Sequence, residues 1–142
     1  MKENEVNNFN IEYETFKKDV LSPSEDATSI GVLDFYPNFS SALQFNTNLL
    51  NIVKDYFGDN SSVVLYIPSG CVPNLFLGAD YVSVNDDAFD LFDDAKVIVD
   101  LGTLGGYQVK TSPFLYDNCV LIQDSDKFFT VDFPNTTEDV EN

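Results

Sequence analysis

The stretch "SVVLYI", residues 62–67, is a near-continuous apolar run, with "DNSS" before it and "PSG" after it. A strand with one face in water alternates apolar and polar residues, whereas an unbroken apolar run is typical of a strand covered on both faces. This run therefore predicts a strand at the middle of a sheet.

Strand and helix patterns alternate on the N-terminal side of this run. The segment 29–36, "SIGVLDFY", is strand-like. A helix is predicted to open at Pro37 and Asn38 and to stop at Gly58, since glycine suits the residue that follows a helix. Its broad apolar face consists of Phe39, Ala42, Leu43, Leu49, Leu50, Val53, Tyr56 and Phe57.

Short strands dominate the C-terminal side. The predicted elements are strands at 80–84 and 96–101, a helix at 85–95 capped by Asn85, and strands at 107–112, 119–123 and 127–133. The glycines of "GTLGG" (102–106) are expected to form a tight connection that needs positive φ, and Pro113 is expected to end a strand. The fold class is therefore α/β (α+β), a mixed β-sheet flanked by helices with antiparallel strands at the C-terminal end.

The length of 142 residues suits one hydrophobic core. Three regions are predicted along the chain. An N-terminal amphipathic helix and linker occupy 1–29, a single α/β domain occupies 30–133, and a flexible acidic tail occupies 134–142.

The charge of the chain restricts its partners. Asp and Glu number 24 against 7 basic residues, all of them lysine, which gives a net charge of −17. Phosphate contacts need clustered positive charge, so we expect no direct binding to nucleic acid and no binding to anionic membranes. The acidity serves solubility, attraction to a basic protein surface, or mimicry of nucleic acid.

No residue pattern predicts catalysis, a metal site or a cofactor. The chain contains no histidine. Cys71 and Cys119 therefore have no histidine as a second zinc ligand and no histidine base that would activate them as nucleophiles. Cys71 is expected in a loop and Cys119 in the core. With 24 carboxylates, no catalytic pair can be singled out. The protein is expected to be non-enzymatic, with no catalytic, cofactor-binding or metal residues.

Two groups of residues are candidates for binding a partner. Apolar residues at helical spacing near the N-terminus form a seam that packs on its own domain or docks on another subunit: Val6, Phe9, Tyr13 and Phe16, continued by Val20. Acidic residues of the predicted helix 85–95 share one face that is either solvated or binds a partner: Asp86, Asp90, Asp93 and Asp94.

A family resemblance rests on two segments, "VVLYIPSGC" (63–71) and the strand that follows "GTLGG". The matching residues of the second segment are Gly106, Tyr107, Val109, Thr111, Ser112, Pro113 and Leu115, followed by the strand 119–122. Over about residues 30–133 the order of elements resembles the axial lobe of tailed-bacteriophage major capsid proteins, whose coat fold is shared with encapsulins.

The resemblance implies a non-enzymatic virion protein, a capsid or auxiliary capsid component that acts through protein–protein assembly. Its partners would be other protein subunits, in a homo-oligomer or among capsid proteins. The alternative is a small acidic inhibitor or DNA mimic that binds a basic protein surface. The start "MKENEVNNFN" is too polar for a signal peptide and no segment is long enough to span a bilayer, so the expected location is the virion or the host cytoplasm.

Overall fold

The computed structural model describes residues 11–34, 42–59, 62–71, 82–84, 98–116 and 118–133. Seven strands in these residues form one mixed sheet. Their bounds are Thr28–Val32 (β1), Val63–Pro68 (β2), Val82–Val84 (β3), Val99–Leu104 (β4), Tyr107–Ser112 (β5), Cys119–Asp124 (β6) and Lys127–Asp132 (β7).

The strands lie in the order β1-β7-β6-β2-β5-β4-β3. β2 pairs in parallel with β5 on one side and antiparallel with β6 on the other, so it separates two strands that follow each other along the chain. β4–β5 and β6–β7 are antiparallel hairpins, and β1 pairs in parallel with β7. The apolar run at 62–67 therefore forms the central strand, as its composition predicts.

In the part of the chain that the structure describes, two helices flank the sheet. The first, α1, covers residues 11–21 and is α-helical to residue 16 and a π-helix over Lys17–Leu21. A 3-10 turn, Pro23–Asp26, leads from α1 into β1. The second helix, α2, runs from Ala42 to Phe57 and is followed by Gly58 with φ +66°. A mixed sheet flanked by helices confirms the predicted fold class.

β2 supplies a different core on each of its faces. One core lies under α2 and includes Val63, Leu65 and Ile67; the other lies under α1 and includes Tyr66, with Val64 packed against it. Because successive strand residues point to opposite faces, a strand between two helical layers must be apolar at nearly every position. This burial on both faces explains the unbroken run.

The β4–β5 hairpin is closed by Gly105 and Gly106, whose φ values are +58° and +94°. The strand before them continues to Leu104, three residues beyond the predicted end at 101. Its pairing shifts register between Asp100 and Gly102, and Gly102 also has positive φ (+128°). A two-residue turn with positive φ at both positions matches the twist of the strands, so both turn positions favour glycine.

The N-terminal helix belongs to the same folded unit as the sheet. Phe16 is 1% exposed and lies in the core under α1 together with Val20 and the sheet residues Tyr66 and Leu121. β1 begins at Thr28, within the predicted linker region. The predicted helix 85–95, the start of the helix predicted from Pro37, and the tail 134–142 lie outside the described residues.

Candidate functional site

A groove runs between the end of β1 and the flank of α2, at one edge of the sheet. We name it the β1-edge groove, and its volume is about 330 Å³. Its walls are Val32, Leu33 and Asp34 from the end of β1, and Gln44, Asn48, Asn51 and Ile52 from α2.

The helix wall of the groove is a row of carboxamides. Gln44, Asn48 and Asn51 are spaced by four and three residues, which places them along one side of α2. The face of α2 that packs on the sheet carries buried apolar residues such as Phe45 and Leu49. The carboxamides therefore stand beside the packed face, and each offers both a donor and an acceptor to the groove.

The strand wall of the groove is an open sheet edge. The Leu33 N–H donates to the Asp132 carbonyl oxygen at 2.8 Å, so this amide points toward β7. Successive backbone amides of a strand point to opposite sides, hence the Val32 N–H and carbonyl point away from β7, toward the outer edge. The Val32 side chain is 65% exposed. Among the described strands, β7 is the sole partner of β1.

A glycine sets the distance between the two walls. A Cβ added to Gly31 would lie 2.9 Å from Ile52 Cγ2, closer than real Cβ atoms come to another heavy atom. Any side chain at this position would force the Ile52 side chain of α2 to shift. Gly31 thus allows the helix to approach the edge strand and form a narrow groove.

The described residues that line the groove carry a single negative charge, at one end. Asp34 is exposed, and the other residues that line the groove are uncharged. Nearby on β7, Asp132 Oδ2 accepts a hydrogen bond from Ser29 Oγ at 2.8 Å. From Ala27 to Leu33 the chain has no charged residue. The strand edge is therefore neutral, with a carboxylate at its C-terminal end.

A second groove, of about 370 Å³, lies beside α1 on the opposite face of the sheet. At its floor the Tyr66 hydroxyl donates to Gln123 Oε1 at 2.9 Å. Burial raises the pKa of the Tyr66 phenol above its ordinary value. The lining residues are Ile11, Glu12, Thr15, Phe16, Asp19, Val20, Tyr66, Ile98 and Gln123.

The two cysteines lie in the interior. Cys71 ends a 3-10 turn, Ser69–Cys71, and is fully buried in the core under α2, so the predicted loop residue is also a core residue. Burial, with a smaller contribution from Asp132, raises the pKa of the Cys119 thiol to about 11. Neither thiol is exposed at the surface, and the raised pKa keeps the Cys119 thiol protonated at neutral pH. Among the described residues, no group of three or more His, Cys, Asp or Glu side chains could hold a metal ion.

The residues of the "GYQVKTSPFL" motif make structural contacts. The Tyr107 hydroxyl donates to the Gly58 carbonyl oxygen, which ties the β4–β5 hairpin to the end of α2. Thr111 Oγ1 donates to the Ile67 carbonyl oxygen at 2.7 Å, and Ser112 Oγ accepts from the Phe114 N–H at 3.2 Å. β5 ends at Ser112, one residue before Pro113, as predicted. Each of these polar groups has a partner within the chain.

The sequence-predicted partner residues are only partly described. Tyr13 and Phe16 lie on α1, where Phe16 is buried and the Tyr13 ring stands 4.6 Å from that of Phe114. Both contact their own sheet, so Phe16 presents no surface to another subunit. The remaining candidates lie outside the described residues: Val6, Phe9, Asp86, Asp90, Asp93 and Asp94.

The β1-edge groove is not among the sites predicted from the sequence. Two signals were present: the seven uncharged residues 27–33 between Asp26 and Asp34, and the helical spacing of Gln44, Asn48 and Asn51. Neither signal shows by itself that the strand lies at an edge. In the parts of the chain that the structure describes, no helix is long and apolar enough to cross a membrane.

The chain matches no protein-family model, no curated protein sequence and no solved structure.

Proposed function

We propose that this protein is a non-enzymatic structural protein, a capsid or auxiliary capsid component of a tailed phage, which assembles with other protein subunits. The observation that carries the proposal is the edge of β1, which is neutral and has no outer neighbouring strand among the described residues, with the outward amide and exposed side chain of Val32. The resemblance of residues 30–133 to a phage coat lobe suggests that the partner subunits are capsid proteins.

The edge of β1 lacks two of the common protections of an edge strand. Such strands are commonly blocked by charged residues, proline, bulges or covering elements, because their free N–H and carbonyl groups pair readily with another chain. Residues 27–33 contain no charge and no proline. The register of β1 shifts between Ser29 and Gly31, so the regular edge is its C-terminal part. A short strand of another subunit can pair there.

Catalysis has little support in the same residues. The cysteines are buried, and the polar residues of the motif at 106–115 hold the fold together. The groove beside an open strand edge is suited to binding an extended polypeptide segment rather than to catalysing a reaction of a small molecule. Binding to other subunits is the function that this edge favours.

The test compares Val32→Lys with Ile11→Lys. Both side chains are aliphatic and 65% exposed, but Ile11 lies on α1, away from the β1 edge. Size-exclusion chromatography with light scattering would measure self-association. Co-sedimentation would measure binding to particles of the phage whose genome encodes this protein. We expect Val32→Lys to lower association and Ile11→Lys to leave it unchanged. A wild-type protein that stays monomeric and does not sediment with particles would refute the proposal.

A further inference from the structure

We infer that the β1-edge groove binds an extended segment of a partner subunit, which adds as a strand beside β1 and places a lysine or arginine at Asp34. The inference rests on the proposed function and names the chemistry of the partner.

The dimensions of the groove suit a few residues of extended chain. From Gln44 to Asn51, α2 advances about 10 Å, at roughly 1.5 Å per residue. An extended strand rises about 3.3 Å per residue, so about three residues fit alongside this wall. A helix would not fit the edge in the same way, because its backbone groups are already bonded internally and cannot pair with β1.

The hydrogen-bonding groups of the two walls complement an extended backbone. The outward N–H and carbonyl of Val32 can pair with a main-chain carbonyl and N–H of an added strand. On the other wall, the carboxamides of Asn48 and Asn51 can donate to or accept from that strand or its polar side chains. Main-chain pairing gives affinity with little demand on sequence.

Charge selects among extended segments. Of the described residues that line the groove, Asp34 alone is charged, and the whole chain carries −17. A basic side chain near Asp34 is attracted both by this carboxylate and by the field of the protein, whereas an acidic segment is repelled. A second copy of the chain would bring another −17, which opposes pairing between copies. These charges favour a basic segment from a different subunit.

The experiment is a titration of the ¹⁵N-labelled full chain, followed by NMR, with two synthetic heptapeptides. The first is acetyl-Thr-Lys-Val-Thr-Val-Lys-Thr-amide, and the second has glutamate in place of both lysines. We expect the lysine peptide to shift the backbone amides of Gly31–Leu33 and the side-chain amides of Gln44, Asn48 and Asn51. The glutamate peptide should leave them in place.

Three variants locate the binding. Asp34→Asn should weaken the Kd for the lysine peptide by about two- to five-fold, the range of one exposed ion pair. Val32→Pro should abolish the shifts, because proline removes the outward N–H while the Leu33 bond to β7 remains. Val32→Lys should also block pairing at the edge, and it does so without removing a backbone N–H. Ile11→Lys, on the other face, should bind the peptide as the wild type does.

The inference is overturned if the lysine peptide shifts no β1-edge amide, if the glutamate peptide shifts them equally, or if Asp34→Asn has no effect. It is also overturned if these amides shift with protein concentration alone, since the occupant would then be a second copy.

The proposed function is judged separately. If the peptide fails but Val32→Lys still reduces association with particles, assembly through β1 stands without the basic segment.

Discussion

Replacing Gly105 by alanine should destabilise the protein more than replacing Gly58 by alanine, although both glycines adopt similar left-handed backbone angles. Their φ values are +58° and +66°. Around Gly58 an added Cβ meets nothing within 4 Å, whereas at Gly105 it would overlap Leu50 Cδ1 and lie 2.8 Å from Leu50 Cδ2. Leu50 is buried in the core under α2 and has little room to move away.

The expected magnitudes follow from these two effects. The left-handed conformation costs an alanine about 1–2 kcal/mol at either position. At Gly105 alone, forcing a methyl group against Leu50 adds about 1–3 kcal/mol of overpacking. We therefore expect a loss of about 1–2 kcal/mol for Gly58→Ala and about 2–5 kcal/mol for Gly105→Ala. One kcal/mol corresponds to a Tm shift of about 4 °C in a domain of this size.

Urea unfolding followed by far-ultraviolet circular dichroism measures both variants, with an unchanged m value as the check on two-state behaviour. Equal losses of unfolding free energy for Gly105→Ala and Gly58→Ala would refute the reasoning. In that case the tip of the β4–β5 hairpin does not rest on Leu50 as the structure places it.

Two further predictions concern buried titratable groups. With a pKa of about 11 instead of 9.0, the Cys119 thiol should have about 100-fold less thiolate at pH 8 than an ordinary thiol. Iodoacetamide should therefore label Cys119 slowly until the protein is unfolded. Rapid labelling of Cys119 in the native protein, located by peptide mass spectrometry, would contradict this prediction. Tyr107→Phe should lower stability at pH 7 by about 0.5–1.5 kcal/mol through loss of the bond to the Gly58 carbonyl. Burial, assisted by Asp59 and opposed by Lys54, raises the Tyr107 pKa, so its contribution is complete below pH 10 and declines as the pH rises through the folded-state pKa. Urea unfolding at pH 7 and above pH 10 should show the difference between wild type and variant shrinking, and a constant difference would argue against it.

The strands and the second helix could be predicted from local pattern. The apolar run 62–67 forms the central strand because burial on both faces favours apolar side chains at nearly every position. β5 was predicted with its observed bounds, and Gly58 follows α2 with the positive φ expected of a helix stop. These features depend on the side chains of a few neighbouring residues, so the sequence alone carries them.

The neighbours of each strand could not be predicted in the same way. Alternation and apolar content indicate that a strand is buried, but they do not identify the strand beside it. β5 and β6 follow each other along the chain and would pair as a hairpin on local grounds, yet β2 lies between them. That insertion pairs strands from distant parts of the sequence, which only the folded chain brings together.

The candidate site illustrates the same division. The sequence by itself determined that residues 27–33 are neutral and that Gln44, Asn48 and Asn51 share one side of a helix. Only the tertiary structure decided that β1 lies at the edge of the described sheet, and that Val32 and those carboxamides line the same groove. A strand lies at an edge when no further strand pairs with its outer side, as holds for β1 among the described elements. Which strands become neighbours is decided by packing across the whole sheet, and the residues of one strand do not specify it.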